Sequence, residues 1–260
     1  MKSIWNKTSL HPLTYFFALS ACLTGLFREL IIVSIIITFH EIGHLIVIRK
    51  FNYKVTKLEL YPFGGLIKCE KDINTPLKEE IITALAGVFM QVVLGIIIAL
   101  LYKLYLIRHT FYTTFILYNI VLLIFNLLPI TPLDGYILLK SLLEYIFSYK
   151  MAFFISFLTS IIGLILFIWL NISFNFHNYI IIGFFLYKIG ESLKKFKYLQ
   201  IRFYLERLIK SFSFKRFKII KGLNINKMAK DRSHYFLYDN YFITEKEVLA
   251  KKFDIKSNLW

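Results

Sequence analysis

Residues 35–48 read IIITFHEIGHLIVI, and they place His40, Glu41 and His44 in the middle of an apolar run that carries no other charge from Leu30 to Ile48. A stretch of this length and composition predicts a membrane-spanning helix. An acidic side chain near the centre of such a helix costs about 2.5–3.5 kcal/mol on insertion scales, so it is seldom there without a partner. A solvated polar face, which would account for HExxH on a soluble helix, is excluded by the surrounding sequence. On a helix His40 and His44 stand at i and i+4, so both imidazoles face one way and can grip a tetrahedral zinc. Glu41 lies about 100° round, where it can accept a proton from zinc-bound water. Gly43 removes bulk between the histidines, or serves as a helix-packing glycine. A hydrolytic zinc site takes three protein ligands plus water, so a third ligand has to come from elsewhere in the chain.

Working outward, the whole chain has the same character. Of its 260 residues 57% are hydrophobic, 27 are Phe and 17 are Tyr, with a mean hydropathy of +0.61. The apolar residues come in blocks of bilayer length, which predicts an α-helical polytopic membrane protein. No small-residue cleavage site follows the first block, so a cleavable signal peptide is not expected. The two cysteines, Cys22 and Cys69, rule out a disulfide framework and a cysteine-rich zinc site.

Six spans are expected, over 12–27, 30–48, 81–102, 111–130, 152–171 and 178–190. With both termini cytoplasmic, the inner loops carry Arg49, Lys50, Lys54, Lys57, Lys68, Lys71, Lys78, Lys140 and Lys150, and the outer ones only Arg28, Lys103 and Arg108. That bias favours this orientation. In KVTKLELYPFGGLIKCEKD (54–72) alternating residues turn at Pro62 and Gly64-Gly65, which predicts a strand, a glycine turn and a returning strand. The hairpin is either membrane-dipping, which would bury Phe63, or an ordinary cytoplasmic one.

Among the acidic residues near the membrane, Asp134 stands out. It lies in NLLPITPLDG (126–135), directly after an apolar segment and bracketed by Pro129, Pro132 and Gly135. Irregular backbone at a membrane edge survives where it lines a site or is packed in protein; a helix-capping aspartate is the competing reading. Topology favours the site. The second and fourth spans both run outward to inward, so His40, about 13 Å from the inner end at 1.5 Å per residue, and Asp134 fall on one leaflet.

HEIGH (40–44) on a membrane helix, with NLLPITPLDG (126–135) two spans later, resembles the site-2 protease family of intramembrane zinc metalloproteases, in particular its sporulation branch. The similarity extends over HPLTYFFALSACLTG (11–25), YPFGG (61–65), TPLKEE (75–80) and RFYLER (202–207). The resemblance implies one Zn2+ held by His40, His44 and Asp134, and Glu41 as catalytic acid/base. It also implies that Asn126 and Pro132 help to position substrate and that Phe63 sits in a loop near the site. Tyr136 stands where the family has a second glycine, and Val88 where it commonly has proline. By resemblance the substrate is the inactive precursor of sporulation sigma-K, membrane inhibitor proteins control timing, and the location is the mother-cell membrane around the forespore; homo-oligomers stay open.

The expected division is a six-span protease domain over 1–190, a helical linker over 191–210 and a shortened, α/β CBS-like cytoplasmic domain over 211–260. HYFLYD in the last reads as a strand, and Thr244 to Glu247 as a capping box opening a final helix. The resemblance leaves ATP binding there as an open expectation. Residues 191–260 hold 17 Lys/Arg against 7 Asp/Glu, a net of +10. Without a nucleic-acid motif this predicts contact with anionic lipid or an acidic substrate rather than nucleic acid. The alternatives are a metal-ion transporter and a non-catalytic signalling protein. A transporter would line several helices with ionisable groups, yet beyond Tyr and Trp the polar residues of the 81–102 and 152–171 spans are Thr83, Gln91, Ser156, Thr159, Ser160 and Asn171.

Overall fold

The computed structural model describes residues 8–61, 64–170 and 176–253. Pro62 and Phe63 lie outside them. The chain divides into two compact units, Met1–Lys71 with Ile82–Leu127, and Asp72–Ile81 with Leu128–Trp260.

The first unit begins with strand β1 (Thr8–Leu10) and helix α1 (Pro12–Leu23). Pro12 at the first helical position has a preset φ and no N–H to leave unsatisfied, and the His11 ring accepts from the Leu13 N–H. Gly25, at φ 74, closes α1 in the left-handed conformation, which a side chain resists. Helix α2 (Phe27–Lys50) follows, and its apolar residues surround the whole helix rather than one stripe, as expected of a segment bathed in lipid. Strands β2 (Lys54–Tyr61) and β3 (Gly64–Glu70) form the expected hairpin, paired from Lys54↔Glu70 to Tyr61↔Gly64. β1 adds in parallel to β2, a pairing the sequence pattern did not disclose. The His11 N–H and Thr14 hydroxyl both donate to the Leu60 carbonyl, which ties the start of α1 to this sheet. The rest is helix α3 (Leu77–Lys103), from Ile82 onward, and α4 (His109–Asn126). Ile32 and Ile36 of α2, Leu94 of α3 and Phe115 of α4 form its buried apolar cluster.

The second unit holds α5 (Asp134–Ile146), α6 (Tyr149–Leu170), α7 (Phe176–Ile209), a sheet of β4 (Phe217–Lys221), β5 (Ser233–Tyr238) and β6 (Tyr241–Thr244), and α8 (Glu245–Lys252). β4 and β5 are parallel, β5 and β6 antiparallel. Thr244 caps α8 by accepting from the Glu247 N–H, the hydroxyl half of the expected box. The far end of α7 is amphipathic. Its Phe196 and Phe203 stack on Phe153 and Tyr149 of α6, with centroids 3.9 and 4.4 Å apart. Ile220, Met228, Phe236 and Leu249 extend this core into the C-terminal sheet and α8.

Polar contacts complete the unit. Glu206 accepts from the Ile73 and Asn74 backbone N–H groups, and the fully buried Arg207 donates to Asn74, Glu245 and the carbonyls of Ala229 and Arg232. His234 accepts the Ala229 N–H on Nε2, which leaves Nδ1 to bond the Glu245 carboxylate at 3.0 Å. Lys230, 3% exposed, reaches Glu80 at 2.8 Å and Glu144 at 3.4 Å. Burial costs its ammonium, but the two carboxylates outweigh that and raise its pKa.

Among the described residues, four helices are long and apolar enough to cross a membrane: α2, α3, α4 and α6. α1, of 12 residues, is a shorter apolar helix, and α7 runs through the expected sixth span into charged sequence without a break.

Candidate active site

Helix α2 buries His40, Glu41 and His44 to 4%, 4% and 8% exposure. Their partners lie mostly on one stripe of α3, where Thr83, Gly87 and Gln91 recur every fourth residue. The His44 Nδ1–H donates to the Thr83 carbonyl at 2.7 Å. Because a carbonyl only accepts, that contact leaves Nε2 as the bare nitrogen of a neutral ring. The His40 Nδ1 meets the Gln91 Oε1 at 3.1 Å, which favours the same tautomer. Gln91 is 1% exposed, and its own carbonyl accepts from Asn119 Nδ2.

Both rings therefore present Nε2 to a common point, with the two nitrogens 3.0 Å apart. At that separation the two nitrogens can share one proton or hold a common cation. Two imidazoles on one tetrahedral zinc, at about 2.0–2.1 Å each, would have nitrogens about 3.3 Å apart, so a small adjustment suits the metal. Gly87 supplies the room. A Cβ on it would lie 2.5 Å from His40 Cε1 and His44 Nε2, and 2.6 Å from His40 Nε2. Gly43, by contrast, faces the α3 backbone, where a Cβ would strike the Ala86 carbonyl. Of its two expected roles, helix packing is the one this contact supports.

Glu41 points toward the hairpin. Its Oε1 accepts from the Gly65 N–H at 2.6 Å, and a side chain on Gly65 would enter the carboxylate itself. Asn126, 6% exposed at the end of α4, brings its Oδ1 to 4.0 Å from the point where a Gly64 Cβ would stand, as does Glu41 Oε1. Four of the sequence-derived residues, His40, Glu41, His44 and Asn126, thus gather around β3 and α3.

Asp134 and Pro132 belong to the second unit. Asp134 is the first residue of α5, and Leu133 holds the capping position, so the aspartate is not the helix cap. The loop before it carries a cis Thr131–Pro132 bond and is seated on α6: Thr131 N–H donates to Ser160, and a Cβ on Gly163 would touch Ile130 at 2.9 Å. Phe63 falls outside the described residues.

Sequence reasoning missed the roles of Thr83, Gly87 and Gln91. A signal existed, because Thr83 and Gln91 are the two non-aromatic polar residues of their span, and the structure turns both toward the histidines.

A hydrolytic metal centre set into a bilayer-length helix is the class that this chemistry describes. The sequence profile of peptidase family M50 matches residues 29–110. Stage IV sporulation protein FB of Bacillus subtilis is 29% identical over 234 residues, covering 89% of this chain and 80% of that protein. A zinc metalloprotease of Methanocaldococcus jannaschii is 30% identical over 122 residues, 46% of this chain and 35% of that one. In fold, the chain matches a site-2 protease from M. jannaschii with a TM-score of 0.52 at 22% identity, over 80% of this chain and 94% of the other. These similarities, to peptidase family M50 over part of the chain and to membrane metalloproteases over more of it, mark the chain as an integral membrane metalloendopeptidase.

Proposed function

We propose that this protein cuts peptide bonds within or beside the membrane at a zinc held by His40, His44 and Asp134. The observation that carries this is the pair of converging Nε2 atoms, each backed by a committed Nδ1, with a carboxylate one residue from the first histidine. Two imidazoles and one carboxylate are a donor set suited to catalytic zinc, and each of the three residues can offer one ligand atom. When bound, zinc supplies a water of lowered pKa and polarises the scissile carbonyl.

The protein's own residues do the rest. Glu41 takes the proton from the attacking water and returns it to the leaving amine. The Gly65 N–H holds one carboxylate oxygen, which orients Glu41 for that exchange. Gln91 and the Thr83 carbonyl hold the proton of each neutral ring on Nδ1, which turns Nε2 toward the metal and raises its basicity as a ligand. A substrate must be extended to present its carbonyl, and β3, at the edge of the order β1-β2-β3, offers an edge for strand addition. Asn126, Pro132 and Phe63 are proposed to position the substrate near that edge.

The substrate is proposed to be the precursor of sporulation sigma-K, with membrane inhibitor proteins governing its processing in the mother-cell membrane. Similarity to a sporulation protein over most of the chain supports this reading. The six-span topology with cytoplasmic termini, the CBS-like end of the chain and an ATP site in it are carried forward as parts of the same proposal. Co-expression with the sigma-K precursor and with unrelated membrane proteins tests it. Wild type should shorten the precursor and Glu41→Gln should not; a precursor left intact by wild type would reject the substrate, and loss of all cleavage activity would reject the reaction.

A further inference from the structure

Between Leu208 and Lys230 the chain carries seven Lys/Arg and no Asp/Glu, and its densest part, KSFSFKRFKIIK (210–221), interleaves cations with phenylalanines. This segment leads into and forms β4. Strand alternation puts Phe217, Ile219 and Lys221 on the face of the sheet away from the buried Ile220. Register continues that face across the sheet, with Tyr235 beside Ile219 and Phe242 opposite Leu237. Phe217 is 71% and Phe242 63% exposed. Large apolar side chains in a continuous exposed patch mark an interaction surface.

The same segment is anchored where the chain enters the apolar helix α6. The Arg216 guanidinium lies 4.6 Å over the Tyr145 ring, and Arg232 donates to the Tyr145 carbonyl at 2.6 Å. Tyr149, the first residue of α6, donates its N–H to the Met228 carbonyl. Beside Tyr145, the α5 residues Leu142 and Ile146 are also exposed. The aromatic and basic patch therefore stands at the mouth of a membrane-spanning helix.

We propose that the outer face of the β4–β5–β6 sheet, with Lys215 and Lys221, docks on an anionic phospholipid surface. Phe217, Ile219 and Phe242 enter the interface, and the lysines meet lipid phosphates. Such an interface takes aromatic, aliphatic and cationic groups together. A second copy of the chain is disfavoured, because a twofold contact through this face would bring like charges together. An acidic protein would satisfy the lysines but not the exposed phenylalanines.

The test uses the full chain in nanodiscs, with Cys22→Ser and Cys69→Ser, and an environment-sensitive fluorophore on Phe217→Cys. In discs containing phosphatidylglycerol its emission should shift to the blue and be quenched by lipids spin-labelled at shallow depth. In phosphatidylcholine alone both effects should fall. Molar salt, where the Debye length is about 3 Å, should reverse them. Lys215→Glu with Lys221→Glu should weaken the anionic response by far more than the about fivefold expected for losing a single cation. A label on Lys252→Cys, in α8, should not be quenched in either disc. Equal quenching at position 217 in both discs, or none in either, would overturn the proposal. So would a response at 217 only on addition of an acidic protein.

Discussion

Gly87→Ala should empty the metal site while leaving the helix that carries it intact. The new methyl would stand 2.5–2.6 Å from ring atoms of His40 and His44, about an ångström inside ordinary contact. Neither ring can yield freely, since turning His40 gives up Gln91 and turning His44 gives up the Thr83 carbonyl, at about 1 kcal/mol for each hydrogen bond. Overpacking of this kind costs about 1–3 kcal/mol, while alanine in place of glycine inside a helix returns about 1 kcal/mol. Overall stability should change little. The metal has no such offset, because the methyl occupies the space on which both Nε2 atoms converge. Disturbing only the partners of a ligand weakens binding about 10–100-fold, and displacing the ligands themselves should exceed the upper figure, about 2.7 kcal/mol. The assay is zinc content of the purified protein in detergent, with thermal unfolding alongside. Gly183→Ala is the control, since nothing lies within 4 Å of its added Cβ. Near-stoichiometric zinc in Gly87→Ala would show that the two imidazoles do not share a metal at that point.

Gln91→Leu should lower zinc affinity by about 10–100-fold, and Gln91→Glu should restore it because a carboxylate also accepts from the His40 Nδ1–H; competition with a chelator measures both. Lys230→Met should destabilise the C-terminal sheet by about 3 kcal/mol, because Glu144 and Glu80 lose a cation in a buried setting, and limited proteolysis should release that part sooner. Adding Glu144→Gln should recover part of the loss. Burial first, and Arg207 and Lys218 beside it, lower the His234 pKa below 6.5 against the pull of Glu245. A neutral His234 therefore contributes stability in full above pH 6.5, and that contribution is lost as pH falls from there through the folded value. Protease susceptibility of the C-terminal sheet should rise from about pH 7 to about pH 5, and His234→Gln should flatten the profile.

The membrane class and the chemical residues of α2 were legible because hydrocarbon removes the usual excuse for polar side chains. A charge in an apolar run demands a use, and the period of 3.6 assigns each residue its face. The hairpin was legible from alternation and its two glycines. The supporting stripe on α3 was not, because Thr83 and Gln91 are ordinary tolerated polar residues of a span until a facing helix gives them partners. The reason for Gly87 is steric and needs the opposite helix. Parallel pairing of β1 with β2 escaped for a related reason, since three residues hold no periodic signal and their partner lies some fifty positions away. The ion pairs of Lys230 are likewise long-range, joining residues that share no local pattern.

Zinc content and peptide-bond cleavage measured together on wild type, Glu41→Gln and Asp134→Asn bear most directly on the mechanism. Glu41→Gln should keep its zinc and lose cleavage by several powers of ten, because an amide cannot accept the water proton. Asp134→Asn should lose both, because a neutral ligand replaces an anionic one. Glu41→Gln that still cleaves at the wild-type rate with zinc bound would contradict the assignment of Glu41 as the group that moves the proton.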